Sequence, residues 1–377
     1  MAEDEEVQVP FDIRCSDQVF DIAFHPTVNN YIAAGCINGR VEVWKHGIGI
    51  DSNCRIMECN PHEASCRGLA FDSTGQFLYT ISADKHFRML NDSGKEAVKF
   101  HTGDDKLNKM LMLDSNNLVT GDDSGCVKLW DLRADNSKSG TGTMEWNIHE
   151  DYISALCWCP DKNQTLLSGS GDGTMAAYDL RKPSDKNVER SDDQEAEITC
   201  IETMKHDKKV VCGTQDGVML IFTWGMWADQ SDRYPGHPET VDCCVKIDER
   251  TMLTGSSDGL IRALHVHPNK LLGVLGSHDD FPVEGMKRSF DNTLLASFAH
   301  DPLIRFNDIS VFYEEDEDQR DGEAEGEASM DQDEDDADPQ AMDSASDDDS
   351  DDDEDGSGGA GGLPQLKTAA QSFFSDL

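Results

Sequence analysis

The sequence predicts an all-β fold, a ring of seven four-stranded blades, and three observations carry that expectation. A turn-and-strand frame recurs seven times at intervals of 40 to 48 residues, the length of one β-propeller blade. A histidine precedes the turn residue by 21 to 23 positions in five copies. Composition then breaks sharply at Tyr313, where the repeats end. The clearest frame is Thr120-Gly121-Asp122-Asp123-Ser124-Gly125-Cys126-Val127-Lys128-Leu129-Trp130-Asp131, a small-residue turn followed by an alternating strand ending in an aromatic. The others run from Asn38 to Trp44, Asp84 to Leu90, Asp172 to Tyr178, Asp216 to Phe222, Asp258 to Leu264 and Asp301 to Asn307.

The periodic histidines are His62, His101, His149, His237 and His278, matched to Asp84, Ser124, Asp172, Asp258 and Asp301. In a four-stranded blade this offset joins the loop entering the first strand to the turn between the second and third. Both lie at the same end of the blade, so imidazole and carboxylate are expected to meet there and be buried. Burial without a partner would cost about 1–3 kcal/mol, so the expected role is structural, not metal binding or acid–base chemistry. Copies one and five carry Ser16 and Gln194 instead.

The pattern resembles the WD-repeat family over about residues 7 to 313, and seven blades use up that span. The domain reading is therefore a propeller at 1–313, an acidic and Gly-rich tail at 314–362 and a short apolar segment at 363–377. Such rings close by borrowing an outer strand from the N-terminus. Val7-Gln8-Val9-Pro10-Phe11-Asp12-Ile13, ahead of the first inner strand at Val19 to Phe24, is the candidate, since an open edge invites aggregation. Inner strands such as Ile153-Ser154-Ala155-Leu156-Cys157-Trp158 are expected to bury both faces between blades.

Twelve cysteines suggest no bridge framework or metal centre, because no Cys-x-x-Cys occurs and most cysteines fall inside strand patterns. No apolar run is long enough to span a membrane, and Met1-Ala2-Glu3-Asp4-Glu5-Glu6 lacks the features of a signal peptide. The expectation is a soluble, intracellular, reduced protein with no cofactor or metal.

From Tyr313 onward the chain holds 25 acidic and two basic side chains, a net charge of −23. The preceding residues keep 50 acidic and 30 basic, a net of −20. Such a tail has too little apolar surface to offset chain entropy and is expected to be disordered. It serves either as a solubility device or as a hold for basic partners. Ser344, Ser346 and Ser350 each precede an aspartate by three residues, a pattern suited to acidophilic phosphorylation. After a glycine-rich linker the chain ends in Phe373-Phe374-Ser375-Asp376-Leu377, and Phe373, Phe374 and Leu377 form a candidate partner motif.

Several segments resemble, more narrowly, the WD repeat-containing protein 55 group. They include Phe24-His25-Pro26, Ala33-Ala34-Gly35, His149-Glu150-Asp151-Tyr152-Ile153, Cys212-Gly213-Thr214-Gln215-Asp216-Gly217, the stretch from Trp224 to Arg233, Pro268-Asn269-Lys270 and the tail end. The resemblance implies a nuclear and nucleolar scaffold, monomeric within a complex, that supports ribosomal RNA synthesis or ribosome assembly by binding pre-ribosomal or other basic nuclear proteins. Lys205-His206-Asp207-Lys208-Lys209 reads as a strand turn more than as an import signal.

Trp130-Asp131-Leu132-Arg133 and Tyr178-Asp179-Leu180-Arg181 suggest an alternative. They are similar to the box by which some WD proteins dock on the adaptor of a cullin–RING ubiquitin ligase, with Trp130, Asp131, Arg133, Tyr178, Asp179 and Arg181 as the implied contacts. No phosphate loop or nucleophile–base spacing supports an enzyme, and a body of net −20 disfavours direct nucleic-acid binding.

Overall fold

The computed structural model describes residues 9–49, 52–133, 142–182 and 184–313. These residues form seven four-stranded antiparallel sheets. Six are built from consecutive strands, as in the first blade: Val19–Phe24, Tyr31–Cys36, Val41–Lys45 and Cys54–Cys59. The inner strand of each blade packs beside that of the next, and Val283–Arg288 of the seventh packs against Val19–Phe24 of the first. The ring is thus closed. It is an all-β, seven-bladed propeller, as the repeat period predicts.

The N-terminal segment supplies the closing strand of the seventh blade, as expected. Among the described residues, pairing with the seventh blade is made by Ile13–Arg14, the last residue of the expected segment and the one after it: Ile13 faces Ile304 and Arg14 faces Leu303. Cys15 extends the contact by donating its N–H to the Pro302 carbonyl at 2.8 Å. Pro10 lacks an N–H to give a ladder, so the pairing takes hold only after it. Residues 7 and 8 lie outside the described residues.

Second strands read as unbroken apolar or small-residue runs because neighbouring blades cover both their faces. Thr165–Ser170 and Thr251–Ser256 are buried along their whole length. The glycine within these strands has a packing reason: a Cβ on Gly169 would lie 2.7 Å from the side chain of Ile198, the first residue of the next inner strand. Gly255 stands in the same relation to Val283. The core therefore lies in the seams between blades. One such cluster joins Val119, Val127 and Trp146 of the third blade to Ile153, Leu166, Ala176 and Tyr178 of the fourth. All twelve cysteines are unpaired, and burial pushes the Cys36 thiol up to about 12.

Candidate interaction surfaces

The end of the ring that carries the blade-entry loops and the turns between second and third strands is built from the periodic histidines. Blade four has the full chain of contacts. Tyr178 Oη lies 3.0 Å from Ser168 Oγ, which lies 2.7 Å from His149 Nε2. His149 Nδ1 faces Thr174 Oγ1 at 3.0 Å and Asp172 at 3.4 Å. One orientation satisfies every group: Tyr178 donates to Ser168, Ser168 to His149, and His149 Nδ1–H points to the carboxylate. Burial alone would raise the Asp172 carboxyl, but hydrogen bonds from His149, Thr174 and the Glu150 N–H outweigh it and hold the group well below its ordinary range.

Blade two makes a related set, with an arginine added. His62 Nδ1 is 3.2 Å from Asp84 and Nε2 is 2.8 Å from Thr80 Oγ1. The buried Arg88 donates to the same carboxylate at 2.8 Å and to Glu96 at 3.0 Å.

Three expected pairings are not made. His237 bonds Thr254 at 2.8 Å, yet its Nδ1 has no partner, while Arg262 takes Asp258 with bonds of 3.0 and 2.6 Å. His278 likewise bonds Ser297 at 2.8 Å and leaves Nδ1 unpartnered, while Asp301 caps the Leu303 N–H at 3.0 Å. Burial, reinforced by Arg262 beside one ring and Arg305 beside the other, pushes both imidazoles down to about 4. The third correction is His101, which ends the outer strand Glu96–His101 of blade two, exposed and edge-on to His86. The blade-three entry position belongs to buried Thr102, whose N–H bonds the Lys85 carbonyl as His237 and His278 bond those of Gly217 and Gly259. Ser124 joins the Asp122 carboxylate at 2.7 Å instead of a histidine. By the same geometry Cys15, not Ser16, holds the entry position of blade one, and Gln194 holds that of blade five.

Sequence reasoning missed a second ring of polar side chains at this end. Each inner strand bulges after its first residue, as between Ile153 and Ala155 or Val241 and Cys243, which turns the second residue toward its neighbour. Asn108 Nδ2 donates to the Ile153 carbonyl of the next blade at 2.9 Å. Ser154 donates to Ile198 and Thr199 to Val241 in the same way. Arg67 reaches Asp123 across the same seam position at 2.8 Å. In blade six this residue is Asp242, which accepts Ser257 Oγ at 2.8 Å. Burial, with Glu284, Asp258 and Glu239 nearby, raises its carboxyl to about 7. The available signal was a polar residue at the second position of an otherwise apolar inner strand. Together these residues rim a central channel of about 1000 Å³.

The opposite end carries both arginine boxes, since third strands run in one direction in every blade. Arg133 and Arg181 are exposed there, with 67% and 45% of their side chains accessible. Each guanidinium folds back on the aspartate two residues before it. Arg133 holds Asp131 with two bonds of 2.9 Å, and Arg181 holds Asp179 at 2.9 and 2.8 Å while also donating to Asn163. Trp130 and Tyr178 are a correction: both are 1% exposed, with the Trp130 indole bonded to Thr120 at 2.9 Å, and they cannot touch a partner. They belong to the strand face that fills the seam.

Lys205-His206-Asp207-Lys208-Lys209 is the turn between strands Ile198–Met204 and Lys209–Thr214, with Lys205, His206 and Asp207 left-handed. Among the described residues no group of three metal-binding side chains converges, and no helix is long and apolar enough to cross a membrane. Ser344, Ser346, Ser350, Phe373, Phe374 and Leu377 lie outside the described residues.

The relationship to known proteins matches this architecture. The WDR55 family model matches residues 10–312, the span of the ring. WD repeat-containing protein 55 of Mus musculus is 34% identical over 305 residues, covering 80% of this chain and 76% of the mouse protein. The protein of the same name in Arabidopsis thaliana is 33% identical over 306 residues, covering 80% and 84%. WD repeat-containing protein JIP5 of Coprinopsis cinerea is 33% identical over 315 residues, covering 81% and 75%. The chain belongs to the WDR55 family of WD-repeat proteins.

Proposed function

We propose that the protein is a non-enzymatic interaction scaffold of the nucleus and nucleolus that supports ribosomal RNA synthesis or processing and ribosome assembly. The observation that carries this reading is the division of labour along the chain. A ring closed by its own hydrogen bonds precedes a segment of net −23, which suits capture of basic proteins by solvated charge. Ribosomal proteins and histones are such partners. The test is affinity purification of the full chain and of a chain ending at Tyr313, with imaging of both. Pre-ribosomal proteins enriched by the full chain and lost on truncation support the proposal. If both chains capture the same proteins and both concentrate in the nucleolus, the tail is only a solubility device.

A second reading keeps the ligase adaptor, because two arginines at equivalent positions of adjacent blades stand exposed at one end of the ring. Changing Arg133 and Arg181 together to alanine removes both forks and leaves buried Trp130 and Tyr178 in place. Loss of a co-purifying adaptor in the double variant supports docking there. Equal recovery with both chains, or no adaptor with either, rules it out.

A further inference from the structure

We propose that the cleft between the fourth and fifth blades is a docking site for an acidic linear peptide bearing one apolar side chain. The cleft is made by the link that follows the third strand of blade five, Val218–Thr223. Met226 N–H bonds back to the Thr223 carbonyl at 2.9 Å, and Gly225 sits at φ 81°, so the chain reverses at once. The reversal throws Trp227 into the seam between the blades, where it packs among Ala177, Cys159 and Phe222. Trp224 stands half-buried beside it, the two rings 5.0 Å apart and nearly perpendicular. Ala228 fixes the link to blade four by accepting the Asp192 N–H at 2.8 Å.

Two adjoining hollows of about 400 and 590 Å³ share Trp227, Gly225 and Glu189. Their aromatic floor continues onto Met226, 67% exposed, so an apolar side chain has a ready surface to cover. Aromatic side chains around a small hollow are the usual anchor points of an interface.

Charge decides what kind of segment would bring that side chain. Lys162 holds its ammonium 5.8 Å from the centre of the Trp224 ring, and Lys182 and Lys186 line the cleft wall. None of these three lysines makes an ion pair among the described residues. Asp179 on the same wall is already held by Arg181, which leaves Glu189, and Asp229 in the adjoining hollow, as the opposing carboxylates. In a body of net −20, three lysines outside any ion pair around an aromatic floor form a local exception that matches carboxylates flanking an apolar residue. A short peptide fits better than a duplex: the hollows span a single seam, and double-stranded DNA, with a charge every ~1.7 Å, would carry most of its phosphates onto the surrounding acidic body.

The test uses the full chain and fluorescent peptides of about twelve residues, with Asp and Glu around a single Leu, read by anisotropy. Binding is expected to weaken at least about tenfold when that Leu is Ala, or when the protein carries Lys182→Glu with Lys186→Glu, or Met226→Asp. The altered residues are exposed, so melting should stay unchanged, and tryptophan fluorescence should respond to the peptide in the wild type only. Binding that is equal in wild type and variants overturns the proposal, as does none at about 1 mM peptide. A single-stranded RNA of similar length that binds more tightly and is lost in the lysine variant overturns it in favour of nucleic acid.

Discussion

At the scale of single residues, the decisive feature is which blades complete the histidine network. His149 is buried and bonded at both nitrogens, to Ser168 on one side and Thr174 with Asp172 on the other. His149→Ala should therefore lower stability by about 1–3 kcal/mol in urea or thermal unfolding and leave every partner bound at temperatures where the ring is folded. Unchanged melting with selective loss of one partner would make His149 a contact residue. Asp242 gives a prediction of opposite pH sign to an ordinary carboxylate. Its folded-state carboxyl titrates near 7, above the unfolded value, so between about pH 4 and 7 the native state binds the extra proton. Stability from this group falls as pH rises through that window and stays reduced above it. Asp242→Asn should raise the melting temperature at pH 8 and change it little at pH 4.

At the scale of the element, the bulged second residue of the inner strand explains how separate sheets act as one ring. Asn108, Ser154 and Thr199 each cross a seam to the first carbonyl of the next strand. Backbone ladders hold strands within a blade, and these side chains add a polar link to the apolar packing between blades. Asn108→Ala should cost about 1 kcal/mol and speed amide hydrogen exchange selectively in the inner strands of blades three and four. Uniform acceleration around the ring would show that the Asn108 bond stabilises no particular seam. The glycine of the second strand works with this device, since Gly169 lets Ile198 approach closely enough for Ser154 to reach the Ile198 carbonyl.

At the scale of the whole molecule, the sheets close within residues 13 to 308, and the last described residues still serve the ring. Phe312 and Tyr313 pack against the blade-six and blade-seven core, and Tyr313 Oη bonds the Ile247 carbonyl at 3.1 Å while accepting from Arg288 at 2.9 Å. A chain ending at Tyr313 should melt within a few degrees of the full chain. Capture of basic proteins should fall in that chain, and what remains should depend less on salt, because screening shortens from ~10 Å at 0.1 M to ~3 Å at 1 M. Replacing only Phe373 and Phe374 with alanine separates the two contributions: a salt-insensitive partner lost there is held by the aromatic tip.

The sequence by itself determined the number of blades, their period and the end at which His62, His149, His237 and His278 cluster. Those follow from local rules: turn residues, strand alternation and a repeat length that fixes what a blade contains. It could not determine which histidine reaches its aspartate: Arg88 and Arg262 stand at the same strand position and both bond the turn aspartate, yet His62 keeps Asp84 while His237 does not reach Asp258. A one-residue shift was enough to exchange His101 for Thr102 and Ser16 for Cys15, since the entry loops vary in length while the backbone bond that defines the position does not. The arginine boxes were legible as motifs, but burial of Trp130 and Tyr178 was decided by the neighbouring blade that covers them. The seam polar ring and the Trp224–Trp227 cleft exist only between blades, and contacts between repeats belong to the tertiary structure because no single repeat contains both partners.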